Sequence, residues 1–302
     1  MCTINLDFLP VTFYISFEKP VNTFHTDDIF VLRSVLGYNL KSISCIAHQK
    51  ECPSCVYNQT CAYAFIFETI IPKDNAIQPG TNRASHPFIL SDFTGKSFTI
   101  TLLGDAVKYL PYIYAAFHKA GEKGLFKERI PFNIEDIRIG EESLLIDENT
   151  LKRNITSFIW KYEHSADSKQ RKEIFIELKT PLRFKTRGHY TKDFTAVDFM
   201  QCLFRSLRTV TTMYGHCSQF PTYKNEEIEF EITEKNLKWI DETHYSARQK
   251  SAMELGGVCG SFKLKGLFSD FDMALIDFAK KFNAGKNPNF GLGQIDYWER
   301  NI

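Results

Sequence analysis

The spacing of apolar residues along the chain predicts a regular alternation of strands and helices. Val11-Thr-Phe-Tyr-Ile-Ser-Phe17 is rich in β-branched and aromatic residues and reads as a strand ended by Pro20. Asp27 and Asp28 can then cap a helix whose Ile29, Leu32, Val35, Leu36 and Leu40 fall on one face. Ala62–Glu68 and Ser97–Leu103 read as the next two strands. Asp105 opens a second helix with Val107, Leu110, Ile113, Tyr114 and Phe117 inward, and Ile130–Ile137 supplies a fourth strand.

The order βαββαβ is that of the ferredoxin-like plan, an α+β architecture with both helices on one face of an antiparallel sheet. The second half predicts the same order again. Glu173–Leu178 alternates charged and apolar residues, and Phe194–Met213 carries Val197, Met200, Leu203, Phe204 and Leu207 at helical spacing. Ile228–Ile232 and Gly260–Leu264 follow as strands, Phe271–Phe282 as an amphipathic helix and Gln294–Trp298 as the last strand. The expectation is two tandem ferredoxin-like domains, 1–150 and 151–302, with the boundary near Asn149–Asn154. A cysteine-rich insertion at about residues 45–61 interrupts the first, and a glycine-rich loop at 285–293 precedes the last strand of the second.

Composition narrows the class without naming it. With 302 residues, 43% hydrophobic and 24% charged, the chain can bury two cores, which excludes disordered and fibrous classes. No apolar run approaches the roughly 18–20 residues of a membrane helix, and the first residues lack the basic flank of a signal peptide, so a soluble cytoplasmic protein is expected. The net charge of +1 hides an asymmetry. Leu151–Lys224 holds fourteen Lys/Arg against six Asp/Glu, while the rest of the chain holds twenty-three basic and thirty acidic residues. Such a basic stripe suits a partner rich in phosphate, and a solvated basic face gives the same pattern.

Four of the eight cysteines, Cys45, Cys52, Cys55 and Cys61, lie within seventeen residues with the spacing C-x6-C-x2-C-x5-C. A Cys-x2-Cys pair with two more thiols nearby suits a tetrahedral structural zinc, which would stabilise a segment too small for its own core. An iron–sulfur cluster uses the same donors, and four packed thiols need no metal. Cys2, Cys202, Cys217 and Cys259 lack ligand spacing and read as buried thiols.

Gly285-Lys-Asn-Pro-Asn-Phe-Gly291-Leu-Gly293 frees the backbone for positive φ and close approach to a ligand, with Lys286 as a cation for phosphate. Together with Ser246-Ala-Arg248-Gln249, Met253–Gly260, Thr180-Pro-Leu-Arg183, Tyr214-Gly215 and Leu237-Lys-Trp239, it resembles the C-terminal half of the CRISPR repeat-processing endoribonucleases, the sixth Cas family of the RAMP superfamily. In the first half, Leu32-Arg33, Gly37, the cysteine cluster running into Tyr63 and Phe67-Glu68, and Gly121 with Gly124 are similar to the same family.

The resemblance implies a metal-independent endoribonuclease that cuts CRISPR repeat RNA by attack of the 2′-hydroxyl beside the scissile phosphate. Such chemistry needs a base, an acid for the departing 5′-oxygen and a cation for the phosphorane charge. In this family the active site lies around the first helix. His25 just before that helix and His48 just after it are the candidates, with Tyr38 and Lys50 as helpers near His48. His216 and His244 are further possibilities, and His48 can instead serve as a zinc ligand. Arg183, Lys185, Arg187, Arg205 and Arg208, with Lys192, supply most of the basic stripe, and Arg205 and Arg208 share a helix face. Tyr245, Arg248 and Gln249 suit stacking and base or phosphate contacts in single-stranded RNA, beside Gly285, Lys286, Gly291 and Gly293. The partners implied are repeat RNA and other CRISPR effector or adaptation subunits. A catalytically silent RAMP subunit that holds guide RNA would share these features, and a zinc-bearing scaffold with no RNA role would share the cysteines.

Overall fold

The computed structural model describes residues 3–21, 28–47, 51–69, 71, 85–147, 150–163, 168–246 and 251–301. The chain divides into two compact units, one of residues 6–159 and 213–215 and the other of residues 1–5, 160–212 and 216–302. The division along the chain falls between Ile159 and Trp160.

The first unit is built on β1 (Thr3–Phe17), α1 (Ile29–Ser44), β2 (Phe88–Ser91), β3 (Ser97–Leu103), α2 (Leu110–Lys123) and β4 (Phe132–Ile139). Its antiparallel sheet runs in the order β2-β3-β1-β4. Alternation along β1 buries Leu9, Val11, Phe13 and Ile15, and the register sets Phe13 opposite Phe98. Those two rings stack at 5.0 Å, and Phe117 of α2 closes on Phe98 at 4.7 Å, so the sheet and helix share one aromatic core. On α1, Ile29, Leu32, Leu36 and Leu40 are buried, as their spacing predicts.

Ala62–Glu68 is a correction. It is not a strand: residues 62–63 are helical and Ala64–Glu68 form a π-helical turn. Nearly the whole run is buried, and a short, all-apolar stretch carries no periodicity that separates a strand from a core helix. The second strand is the four-residue Phe88–Ser91, whose Phe88, Ile89 and Leu90 are all buried and so show no alternation.

The second unit repeats the plan with β5 (Gln170–Leu182), α3 (Ala196–Tyr214), β6 (Glu229–Ile240), β7 (Gly257–Phe268), α4 (Asp270–Phe282) and β8 (Ile295–Asn301). Its sheet is antiparallel in the order β6-β7-β5-β8, which is again second, third, first, fourth. The two α+β units therefore share one strand order, consistent with tandem ferredoxin-like domains. Ile174, Ile176 and Leu178 of β5 and Phe262 and Leu264 of β7 are buried, with Phe199 of α3 edge-on to Phe262 at 5.0 Å. Ser269 caps α4 through the Asp272 N–H, and the Asp272 carboxylate accepts from the Ser269 N–H at 2.8 Å. Among the described residues, no helix is long and apolar enough to cross a membrane.

Candidate nucleic-acid interface

Three sequence motifs of the second unit meet at one place. The Lys286 N–H donates to the Arg183 carbonyl at 2.8 Å, and the Gly293 N–H to that of Pro181 at 3.1 Å. Thr180 Oγ1 donates to the Gly291 carbonyl at 2.7 Å and accepts from the Gln294 N–H at 2.9 Å. The glycine-rich loop is thereby stitched to Thr180–Arg183 at the end of β5. Gly256 and Gly257 come against the same strand end: Arg183 Nη1 donates to the Gly256 carbonyl at 2.8 Å, and a Cβ at Gly257 would lie 2.8 Å from the Leu182 carbonyl oxygen.

Two of the loop glycines have a packing role. Gly291 and Gly293 are buried, with φ of 78° and 76°. A Cβ on Gly293 would run into the Ala284 carbonyl oxygen, whose own N–H donates to the Gly293 carbonyl at 2.8 Å. Gly293 lets the loop close on itself, and Gly291 supplies a second left-handed turn in it. Gly285, with φ of 74°, donates its N–H to Ser206 Oγ of α3 at 3.0 Å, which fixes the loop on the helix. Lys286, one residue on, is exposed.

A short hairpin completes the site. Lys185–Thr186 pairs with His189–Tyr190 across Arg187 and Gly188, both of which have positive φ, a geometry of two-residue hairpin turns. Lys185 lies directly opposite Tyr190. Around the Tyr190 ring gather the Arg183 guanidinium at 4.0 Å, the Lys185 ammonium at 5.2 Å and the Lys286 ammonium at 5.6 Å. Burial works against ionisation of the Tyr190 hydroxyl, but the hydrogen bond from Lys286 and the field of Arg183 outweigh it and hold its pKa below the ordinary phenol value.

Among the described residues, Arg183, Lys185 and Lys286 form no ion pair with a carboxylate. Other lysines of this unit do: Lys179 and Lys280 share Asp296, and Lys172 pairs with Glu299. Arg205 and Arg208 are both exposed on α3. Arg205 acts on Cys202, one turn earlier; burial pushes that thiol up to about 12 against the pull of Arg205. Arg187 sits exposed in the hairpin turn, and Lys192 is exposed just beyond it.

Other sequence candidates lie elsewhere. Tyr245 and His244 fall on a hairpin that pairs Thr243–Ser246 with Ser251–Glu254, and Arg248 and Gln249 lie outside the described residues. His216 is exposed on a short bridge opposite Asn5. Of the first-unit candidates, His25, His48 and Lys50 lie outside the described residues. Tyr38 projects from α1, 68% exposed, with the Lys123 ammonium 4.6 Å over its ring.

In the first unit, Phe67 packs its ring against Gly37, where any Cβ would lie 2.8 Å from it, and Arg33 sits 5.5 Å above the same ring. His86 joins them, its Nε2 3.0 Å from Arg33 Nη2 and its Nδ1 3.3 Å from Thr69 Oγ1. Because a guanidinium only donates, Nε2 is the acceptor and Nδ1 carries the proton. Sequence spacing did not single out His86 or Tyr190; the Arg187-Gly188 turn is the one signal that could have found the latter.

Cys45, Cys52, Cys55 and Cys61 are half-buried free thiols. Burial raises the Cys52 pKa, as does Glu68, while Lys41 lowers it. Among the described residues, no three Cys, His, Asp or Glu side chains are grouped closely enough to hold a metal ion. Cys202 and Cys259 are buried as expected, Cys217 is half-buried, and Cys2 lies outside the described residues.

Residues 6–158 match the family model AF_1859_N, described as an N-terminal domain, and residues 176–295 match that of the CRISPR-associated endoribonuclease Cas6. Residues 176–295 belong to the Cas6 endoribonuclease family. The Cas6 model spans the motifs that meet at Arg183, from β5 through the glycine-rich loop. Among solved structures, the chain is similar to a Cas6 product complex at 13% identity and a TM-score of 0.51, covering 97% of this chain and 99% of that one. It is similar to Thermus thermophilus Cas6 at 14% identity and a TM-score of 0.50, covering 98% and 99%. It also matches a chain of a Cas6-RT-Cas1--Cas2 complex at 14% identity and a TM-score of 0.55, covering 99% of this chain and 29% of that one. At these identities the likeness is one of fold. No curated protein sequence matches the chain.

Proposed function

We propose that this protein binds CRISPR repeat RNA and cuts it within the repeat by attack of the neighbouring 2′-hydroxyl, releasing guide RNAs without a catalytic metal. The observation that supports the reading is the convergence of Arg183, Lys185 and Lys286 on Tyr190, with no carboxylate paired to them among the described residues, in the stretch that the Cas6 family model spans. Three cations beside an aromatic face suit a phosphodiester with its base stacked alongside. The exposed Arg187, Arg205 and Arg208 extend the positive surface for a polyanion.

In this reading, the two α+β units are tandem ferredoxin-like domains, the first carrying the cysteine-rich insertion. His25 or His48, one before and one after α1, takes or returns the proton in the transfer, and Lys50 or another cation stabilises the phosphorane charge. Tyr38 places an exposed phenol on that helix. Repeat RNA is the partner, with other CRISPR effector or adaptation subunits joining it.

The test is incubation of the whole chain with a labelled repeat hairpin in EDTA, with the product ends examined. Cleavage leaving a 2′,3′-cyclic phosphate supports the reading. Tight binding of a range of repeats without any cut would contradict it and favour a subunit that only holds guide RNA.

A further inference from the structure

We propose that Cys45, Cys52, Cys55 and Cys61 bind one zinc ion that clamps the end of α1 to the start of the π-helical segment. All four cysteines line a single cavity of about 140 Å³, although they are scattered over seventeen residues. Among the described residues, the metal-binding side chains that line that cavity are all cysteines, with no histidine or carboxylate. Four thiolates without an open position make a closed structural zinc site, with no role in the RNA chemistry.

The backbone prepares the ligands in two ways. Cys45 is the C-cap of α1, its N–H donating to the Lys41 carbonyl, and Cys61 immediately precedes the buried run that begins at Ala62. Cys61 Sγ already lies 3.9 Å from the Ser44 carbonyl oxygen, at the end of α1. Two ligands are thus carried by elements of the core. The other two flank the tight turn Cys52-Pro-Ser-Cys55, in which the Cys55 N–H donates to the Cys52 carbonyl at 3.2 Å.

The segment has little else to hold it. None of the described residues from 45 to 61 is buried, while Ile46 and Val56 are 70% and 77% exposed. A loop with no apolar core of its own gains its order from a metal crosslink. On binding, the four thiols lose their protons to solvent as four zinc–sulfur bonds of about 2.3 Å form. The ion would draw together four sulfurs that line one cavity, no three of which are grouped closely enough in the structure to hold it without a small movement of the loop.

The test uses the full chain grown in zinc-sufficient medium and purified without chelator. Elemental analysis is expected to find about one zinc and no iron per chain. A strong chelator is expected to make four additional thiols reactive toward a disulfide reagent, and the Cys52→Ser, Cys55→Ser double variant to fall below about a tenth of an equivalent. If that variant fails to fold by circular dichroism, mercurial titration of the unmodified protein stands in for it, with one zinc released as the thiols are consumed. Protein without zinc whose four thiols react freely, a visible iron–sulfur spectrum, or a zinc that the double variant retains would each overturn the assignment.

Discussion

Lys286 and Arg183 are joined by a 2.8 Å hydrogen bond between the Lys286 N–H and the Arg183 carbonyl, and both side chains turn their charge on the Tyr190 ring. The bond unites the glycine-rich loop with the end of β5, two segments far apart in sequence. It also explains why positive charge collects there: two cations held by one backbone contact, and a third from the hairpin, surround a single phenol.

If these cations meet phosphate, Arg183→Ala and Lys286→Ala each weaken binding of repeat RNA and reduce the steepness of its salt dependence. The slope of log affinity against log salt falls by about 0.7 for each single-strand phosphate contact removed. Filter binding between low and moderate salt measures it. Unchanged slopes would return both residues to a solvated face.

The same cluster predicts a titration. Tyr190 ionises below the ordinary phenol value because Lys286 and Arg183 favour its charged form against the effect of burial. The phenolate absorbance missing from Tyr190→Phe gives its midpoint by difference. Lys286→Ala raises that midpoint, and so does bound RNA, since phosphate neutralises the cations that hold it down. A midpoint that ignores both changes would show that the cations do not act on the ring.

Gly293→Ala tests the loop's own packing. Its φ of 76° and the Ala284 carbonyl in the space of a Cβ leave no room for a side chain. The substitution costs about 1–3 kcal/mol, read as a lower urea midpoint. A variant of wild-type stability that loses only RNA affinity would contradict this packing role and favour close approach of phosphate at this glycine.

Asp296 predicts the acid limb of stability. Burial opposes its ionisation, yet the hydrogen bonds from Lys280 and Lys179 prevail and hold its pKa at about 2, below the usual 3.8. A carboxyl lowered in the folded state stabilises fully above its unfolded pKa, and that contribution disappears as pH falls from 3.8 toward 2. Asp296→Asn removes it at neutral pH, at a cost of about 1 kcal/mol for a partly solvated pair. Urea midpoints of the two proteins converge toward pH 2; a constant gap would refute this.

The elements of the second unit were legible because each has one wet and one dry face: Ile174, Ile176 and Leu178 alternate with Glu173, Phe175 and Glu177 along β5, and only the first set is fully buried. Where both faces are buried, the pattern vanishes. Ala62–Glu68 passed for a strand and Phe88–Ser91 went unseen for that reason. The candidate site was legible residue by residue, through Arg183, Lys185 and Lys286, but its assembly depends on the Lys286–Arg183 contact, which no local pattern encodes. Tyr190 was missed because a hairpin of two pairs is too short to alternate.

The histidines on either side of α1 separate chemistry from architecture. A positioned general acid or base contributes about 10²–10⁴ in rate, so alanine at the acting residue, His25 or His48, removes that much while RNA affinity is kept. Loss in His48→Ala together with loss of zinc would mark a structural role. Wild-type rates in both variants would place the chemistry elsewhere.

The most direct test of the central claim is a repeat RNA with a single 2′-deoxy nucleotide at the cut position. The account predicts that the protein binds it with unchanged affinity and leaves it whole, because the attacking oxygen is gone. Cleavage of that substrate at the same bond would contradict it.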